Sequence, residues 1–315
     1  MSPRARNLLQ IHGAVLLFGL AGLFGKLLAL APVVIVFGRV VLAAPTLLLA
    51  AVLWRLPLRP ASRRGLLAFV ALGILLAVHW TTFFQSVQVS SVAVALITFS
   101  TFPVFVALLE PLLFREKLRA ADVALAALAL AGVALLIPSF EAGDRTTQGV
   151  LWGVASGLTF ALLSLLNRHY VRQQSGITIA LYQDAFAAVA LVPFVLPPWP
   201  PLAARQVLLL VVLGVFCTAV AHALFIAGLR GVRARTASMI ACLEPVYGTA
   251  LAALLLREVP SVRTLAGGLL VLGVAFHATV RPGGDEGAVK DVAACCRSEE
   301  RPGIPSLPEN EGTVV

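Results

Sequence analysis

Three ionisable side chains lie deep inside apolar sequence, where together they could hold a small charged molecule. Arg39 stands seven residues into a run that begins at Pro32, and Asp184 and Glu244 each stand nine residues into theirs. At 1.5 Å per helical residue these depths are roughly 10 Å and 13 Å. A charge at the centre of a bilayer costs at least about 2.5–3.5 kcal/mol, so such groups are rarely accidental. Arg39 suits a carboxylate, and Asp184 or Glu244 suits an ammonium group or a coupling proton. A carboxylate shielded from water exchanges protons more readily near neutrality. The simpler alternative is that Arg39 ion-pairs with one of the carboxylates and locks two helices together.

A second ring of polar and aromatic residues surrounds these three. His79, Thr82 and Ser86 recur on one helical face with Trp80 beside them, and Thr218, His222 and Phe225 recur on another. Tyr182 and Gln183 precede Asp184. The candidate substrate-binding set is therefore Arg39, His79, Trp80, Tyr182, Gln183, Asp184, His222 and Glu244. A membrane histidine can relay protons; its simpler role is a hydrogen bond to a neighbouring helix. Glu244 shares a stripe with the small residues Ala237, Ala241, Gly248 and Ala252, which suits close packing or a cavity wall. Pro245 removes a backbone donor and can open the helix beside it. Gly153 and Gly157 suit packing within the chain. Lys26 is near a run's end, where it can snorkel, and Glu110 is near an interface.

The elements that must carry these residues are membrane spans. Of 315 residues 59% are hydrophobic and only 12% charged, where a soluble domain carries about a quarter. The charges leave apolar runs near the length that crosses a hydrocarbon core of roughly 30 Å. Ten runs are legible: Leu8–Leu30, Pro32–Leu53, Gly65–Val87, Ser91–Phe114, Ala120–Pro138, Gly149–Tyr170, Ser175–Leu196, Arg205–Leu229, Arg235–Leu256 and Ser261–Val280. The first is too long for a signal-peptide core and is expected to stay as a span. The expected fold class is an all-α polytopic membrane protein.

The chain also repeats itself. A shift of 142 residues sets Ala95 on Ala237, Pro103 on Pro245, Val104 on Val246 and Arg115-Glu116 on Arg257-Glu258. Such a repeat governs the whole architecture. Five spans per copy is an odd number, so the two copies must be inverted relative to each other. The expected organisation is residues 1–138 as the first five-span repeat, 149–281 as the second, and 282–315 as a disordered cytoplasmic tail rich in Gly, Pro, Glu and Ser. Inverted repeats are a recurrent device of secondary transporters, which hold substrate near the midplane and expose it alternately to either side.

With a cytoplasmic N-terminus, fifteen basic residues beside the spans fall inside, and only Arg145, Arg205, Arg257 and Arg263 fall outside. This bias sets the orientation, with both termini in the cytoplasm. Trp54, Trp152 and Trp199 mark span ends as an interfacial belt does. The net charge of +9 is spread beside spans and is no nucleic-acid footprint. Usage rich in Ala, Leu and Arg with little Lys points to a bacterial inner membrane. Cys217 and Cys242 read as small buried thiols, and Cys295-Cys296 as at most a lipid acceptor.

The stretch Pro103-Val104-Phe105 … Arg115-Glu116-Lys117-Leu118 … Gly132 resembles the signature of an EamA domain. Leu243-Glu244-Pro245-Val246 … Arg257-Glu258 … Gly273 resembles its second copy, and Arg39 matches a recurrent arginine. The resemblance covers about residues 8–280. It implies a ten-helix member of the drug/metabolite transporter superfamily, with spans 1–4 and 6–9 around a central cavity and spans 5 and 10 outside. It also implies small-metabolite substrates, amino acids among them. Pro260 follows the second Arg-Glu pair closely, a departure from the pattern.

The function expected is therefore a secondary transporter of small polar or amphipathic metabolites, with amino-acid export as the favoured substrate reading. The proton is a candidate coupling ion. A carrier of lipid-linked or nucleotide-linked compounds is the rival in the same class. An intramembrane enzyme is a rival in another class, but HExxH, GxSxG and paired metal ligands are missing. A phosphate-binding GxxxxGK[ST] loop is missing too. No cofactor or metal is expected.

Overall fold

The computed structural model describes residues 3–59, 63–114, 120–138, 141, 143–170, 174–195, 201–229 and 240–280. Several features of the sequence lie outside the described residues. These are Arg115-Glu116-Lys117-Leu118, the stretch 230–239 with Ala237, Trp199, Cys295-Cys296 and the tail 282–315. The side chains of Glu110 and Arg168 lie outside them as well.

Among the described residues every regular element is helical. They are α1 (Pro3–Leu27), α2 (Pro32–Leu53), α3 (Arg63–Val89), α4 (Val92–Phe99), α5 (Phe102–Phe114), α6 (Ala120–Leu136), α7 (Arg145–Tyr170), α8 (Gly176–Val195), α9 (Ala204–Val211), a π-helix (Val212–Val220), α10 (Ala221–Leu229), α11 (Glu244–Leu256) and α12 (Val262–Val280). Seven helical segments are long and apolar enough to cross a membrane: Ala5–Leu27, Pro32–Leu53, Arg63–Val89, Val92–Leu109, Arg145–Asn167, Gly176–Val195 and Ala204–Phe225. Ala120–Leu136, Glu244–Leu256 and Val262–His277 are apolar but shorter. Large apolar side chains such as Leu67, Leu130, Val189, Phe194, Leu208 and Leu254 face outward. Water would not tolerate that much exposed hydrocarbon, whereas lipid does. The chain is a polytopic membrane protein.

Two of the runs read from sequence are interrupted, and one is rewound. The fourth breaks at Ser100-Thr101, between α4 and α5, and the ninth breaks at Cys242-Leu243, before α11. The eighth winds into the π-helix, where the Thr218 hydroxyl donates to the Leu213 carbonyl five residues back at 2.7 Å.

Polar contacts gather the helix ends into two groups. At one end Lys26 of α1 meets Ser90 and Glu258, Ser86 of α3 meets Gly149 of α7, and Gln206 of α9 meets Leu28. At the other, Thr178 and Tyr182 of α8 reach the Pro57 and Leu58 carbonyls that follow α2. The C-terminus of α1 thus lies with the N-terminus of α7, and the C-terminus of α2 with the N-terminus of α8. Counterpart helices of the two sequence copies run antiparallel. The copies also interleave: α3 packs on α7 and α8, α2 on α8, and α1 on α10 and α11. The main core is shared by both copies, with Phe69, Leu72, Phe84 and Leu96 from one and Ala161, Ile179 and Leu213 from the other.

Helix crossings are tight where glycines meet. A Cβ on Gly132 of α6 would stand 2.9 Å from Val271, and one on Gly267 of α12 only 2.8 Å from the Gly132 carbonyl. Gly153 and Gly157 of α7 abut Thr98, Phe99 and Thr101 of the fourth run. They are internal packing residues, as their spacing suggests.

Candidate functional site

The three deep charges each sit beside a close helix crossing, and this is how separate helices bring them together. Arg39 follows Gly38 on α2, where Gly214 of the π-helix approaches so closely that a Cβ there would lie 2.9 Å from the Arg39 carbonyl. Asp184 lies on α8, where Gly73 of α3 leaves only 3.0 Å to the Gln183 carbonyl. Glu244 opens α11, where a Cβ on Gly19 of α1 would stand 3.0 Å from both the Glu244 carbonyl and the Gly248 nitrogen. The small-residue stripe of α11 therefore serves packing at Gly248, which is buried, and at Ala252 in the core.

Arg39 is 3% exposed and held by several groups at once. Its Nε donates to the Thr218 hydroxyl at 2.9 Å. Its guanidinium lies 3.8 Å from the centroid of Trp80 and 5.6 Å from that of Phe84. Desolvated stacking of this kind is worth about 2 kcal/mol. Trp80 in turn stacks on His222 at 5.4 Å, and Phe18 of α1 meets His222 edge-on. An aromatic wall thus fixes the plane of the guanidinium.

Asp184 and Glu244 both fall within electrostatic reach of Arg39. Neither forms an ion pair with it; among the described residues the ion pair found is Lys26–Glu258. The locked Arg–carboxylate pair weighed as an alternative is therefore absent from this conformation. Asp184 is wholly buried, and neither of its carboxylate oxygens has a hydrogen-bond partner. Glu244 is only partly buried and occupies the first turn of α11, where the helix dipole favours negative charge. The site thus offers a planar cation and two carboxylates that are not spent on each other.

The remaining candidates divide. Trp80 and His222 belong to the wall beside Arg39. His79 is within electrostatic reach of Arg39 and His222, but its Nδ1 is 3.0 Å from both the carbonyl and the hydroxyl of Ser156 on α7. It takes the simpler role of an interhelical hydrogen bond, among Phe99 and Phe160. Tyr182 and Gln183 are not brought to the cluster. The Tyr182 hydroxyl donates to the Leu58 carbonyl at 2.8 Å and its ring stacks on Phe69, while Gln183 donates to Asn167. Neighbours in sequence point in different directions on a helix. Cys217 and Cys242 are buried free thiols. Sequence reasoning missed Thr218 as a partner of Arg39, along with Phe18 and Phe84; the shared face of Thr218, His222 and Phe225 was the available signal. It also assigned Lys26 to snorkelling, whereas its ammonium is ion-paired and hydrogen-bonded.

The model of the EamA-like transporter family matches twice, over residues 6–137 and 147–279. The chain belongs to the EamA-like transporter family. It resembles proteins that carry the name uncharacterized transporter. One from Bacillus subtilis is 28% identical over 60% of this chain and 62% of its own length. One from Archaeoglobus fulgidus is 26% identical over 61% of this chain and 68% of its own length. One from Clostridium kluyveri is 21% identical over 61% of this chain and 62% of its own length. The match to this EamA chain thus spans less than two thirds of the Bacillus and Clostridium relatives. The helical arrangement is also similar to a solved protein structure, with a TM-score of 0.63 and 20% identity, over 90% of this chain and 100% of the other.

Proposed function

We propose that this EamA protein is a secondary transporter of small polar or amphipathic metabolites, working by alternating access and exporting amino acids or related compounds. The observation that carries the reading is Arg39, fixed against Trp80 and Thr218, with Asp184 and Glu244 in reach but unpaired to it. A zwitterion complements such a set: its carboxylate takes the open edge of Arg39, and its ammonium takes Glu244, the more accessible acid. The buried carboxylate of Asp184 suits a coupling proton. In this reading the chain has ten spans in two inverted repeats, residues 1–138 and 149–281, with both termini in the cytoplasm of a bacterial inner membrane. The antiparallel course of counterpart helices and the double family match support it. Reporter fusions test the orientation: the loop at Gln148 should report outside and the loop at Arg59 inside.

The deciding experiment is counterflow in proteoliposomes with labelled amino acids. Wild type should accumulate label against an internal unlabelled pool, and Glu244→Gln should not. Accumulation by neither protein would reject amino acids as cargo. An imposed proton gradient should drive uptake of the same substrate if a proton is coupled, and leave it unchanged otherwise.

A further inference from the structure

Three mutually packed elements, α1, α4 and the helix α11 that carries Glu244, meet at one end of the bundle. There Lys26, in the last turn of α1, lies 3.8 Å from Glu258 Oε1 and donates to the Ser90 carbonyl at 2.8 Å. The other oxygen of Glu258 accepts from the Val92 amide, the first of α4, at 3.0 Å. One carboxylate thus ties the loop after α11 to the ends of both α1 and α4. Arg257 beside it takes a left-handed backbone, with φ 58°, as the C-cap of α11, so the chain turns sharply to present Glu258. About 10 Å along α1 from Lys26, Gly19 and Gly248 form the tight crossing against the Glu244 carbonyl. The ion pair and the Glu244 crossing thus lie on the same pair of helices, α1 and α11, with α4 packed against both.

We infer that Lys26 and Glu258 form a gate that closes this end of the bundle over the Arg39–Glu244 site. The inference rests on the transport reading above. The gate is strong enough to close and weak enough to open. Both side chains are 27% exposed, and partly wet ion pairs are individually worth about 0–1 kcal/mol. The Val92 and Ser90 bonds add charge-assisted hydrogen bonds on top. Opening costs little because water can take over each partner. Two further ties at this end are neutral: Gln88 donates to the Leu30 carbonyl and Gln206 to the Leu28 carbonyl. They hold α3 and α9 to the α1–α2 turn and do not bind α11. In sequence, the repeat sets Lys26 on Arg168 and Glu258 on Glu116, so a base and an acid recur at the same places in both copies.

Thiol labelling tests the gate without any substrate. The reporter is Cys217, wholly buried and within electrostatic reach of Arg39. The other three cysteines are replaced by serine, and a membrane-impermeant maleimide is applied to oriented vesicles of either sidedness. A separate Val259→Cys protein marks the face at which Glu258 lies. Lys26→Met and Glu258→Gln should each speed Cys217 labelling about three- to tenfold from that face, and not from the opposite one. The double variant should be no faster than the faster single, because both residues act in one lock. Labelling that rises from neither face, or equally from both as in a misfolded protein, would overturn the gate, as would additive effects. Failure of amino-acid counterflow with a positive labelling result would reject the cargo and leave the gate standing.

Discussion

The fourth run of each sequence copy is broken in the same way, and the two breaks are put to different uses. In the first copy the Thr101 amide bonds the Thr98 carbonyl at 3.2 Å, and the Phe105 amide bonds the Thr101 carbonyl at 3.3 Å. In the second, the Leu243 amide bonds the Ile240 carbonyl at 2.9 Å, and the Tyr247 amide bonds the Leu243 carbonyl at 2.9 Å. The repeat register sets each bond on its counterpart. Each break precedes a proline, Pro103 or Pro245, which supplies no amide to continue the ladder. The side chains then diverge. Ser100 and Thr101 turn their hydroxyls back to the Leu96 and Thr98 carbonyls, and Phe102 packs among Phe99 and Phe160. The second copy has Cys242 and Leu243, without hydroxyls, and Glu244 in place of Phe102. One break is filled and sealed; the other presents a carboxylate to Arg39. A duplicated backbone device thus carries packing side chains in one copy and, in the proposed reading, a binding carboxylate in the other, through a handful of side chains.

The largest effect should come from exchanging charge at the second break while sparing the first. Glu244→Gln should lower counterflow at least about tenfold, the scale of losing one charge-assisted contact. Phe102→Leu should leave it within about twofold: it trims a packed ring and costs some stability, a few kcal/mol at most, but touches no substrate. Equal losses in the two variants would erase the distinction between the breaks.

Arg39 should show the next largest effect. Arg39→Lys keeps the charge but loses the planar face against Trp80 and the Nε bond to Thr218. KM should rise about fivefold or more, with kcat changed less. An unchanged KM would remove Arg39 from substrate contact. Thr218→Val should act in the same direction and more weakly, since it frees the guanidinium without removing it.

Asp184→Asn separates coupling from stability. The carboxylate is buried without a partner, so the amide should leave the melting temperature unchanged or raise it. Proton-driven uptake should fall severalfold while counterflow, which needs no net proton movement, falls less. Equal losses in both assays would make Asp184 a substrate ligand and not a proton site.

Much of this was legible in the chain, and what was not has identifiable physical causes. The deep charges, the repeat and the opening at Pro245 follow from local rules about cost, spacing and missing donors. The matching break at Ser100-Thr101 was hidden because only two small polar residues interrupt an otherwise apolar run, and their hydroxyls fold back onto the Leu96 and Thr98 carbonyls of the same helix. The π-helix is written in Val212–Val220, a stretch without proline, so nothing in its composition marks the extra residue per turn. Tyr182 and Gln183 were grouped with Asp184 by adjacency, whereas one residue along a helix turns a side chain to another neighbour. Lys26 and Glu258 are far apart in sequence, and only the folded bundle shows that they meet.

The smallest effect should come from sealing the second break as the first is sealed. Leu243→Thr places a hydroxyl where Thr101 stands in the first copy, three residues after the Ile240 carbonyl. If the backbones are equivalent, that hydroxyl bonds Ile240 as Thr101 bonds Thr98. The gain is about 1 kcal/mol at most, partly offset by the apolar area lost with leucine, so the melting temperature should move by no more than a few degrees. Transport should slow about twofold if the break flexes during the cycle, because the added bond holds one conformation. A variant with normal turnover would show that the second break is a fixed pedestal for Glu244, and that the difference between the copies lies in the carboxylate alone.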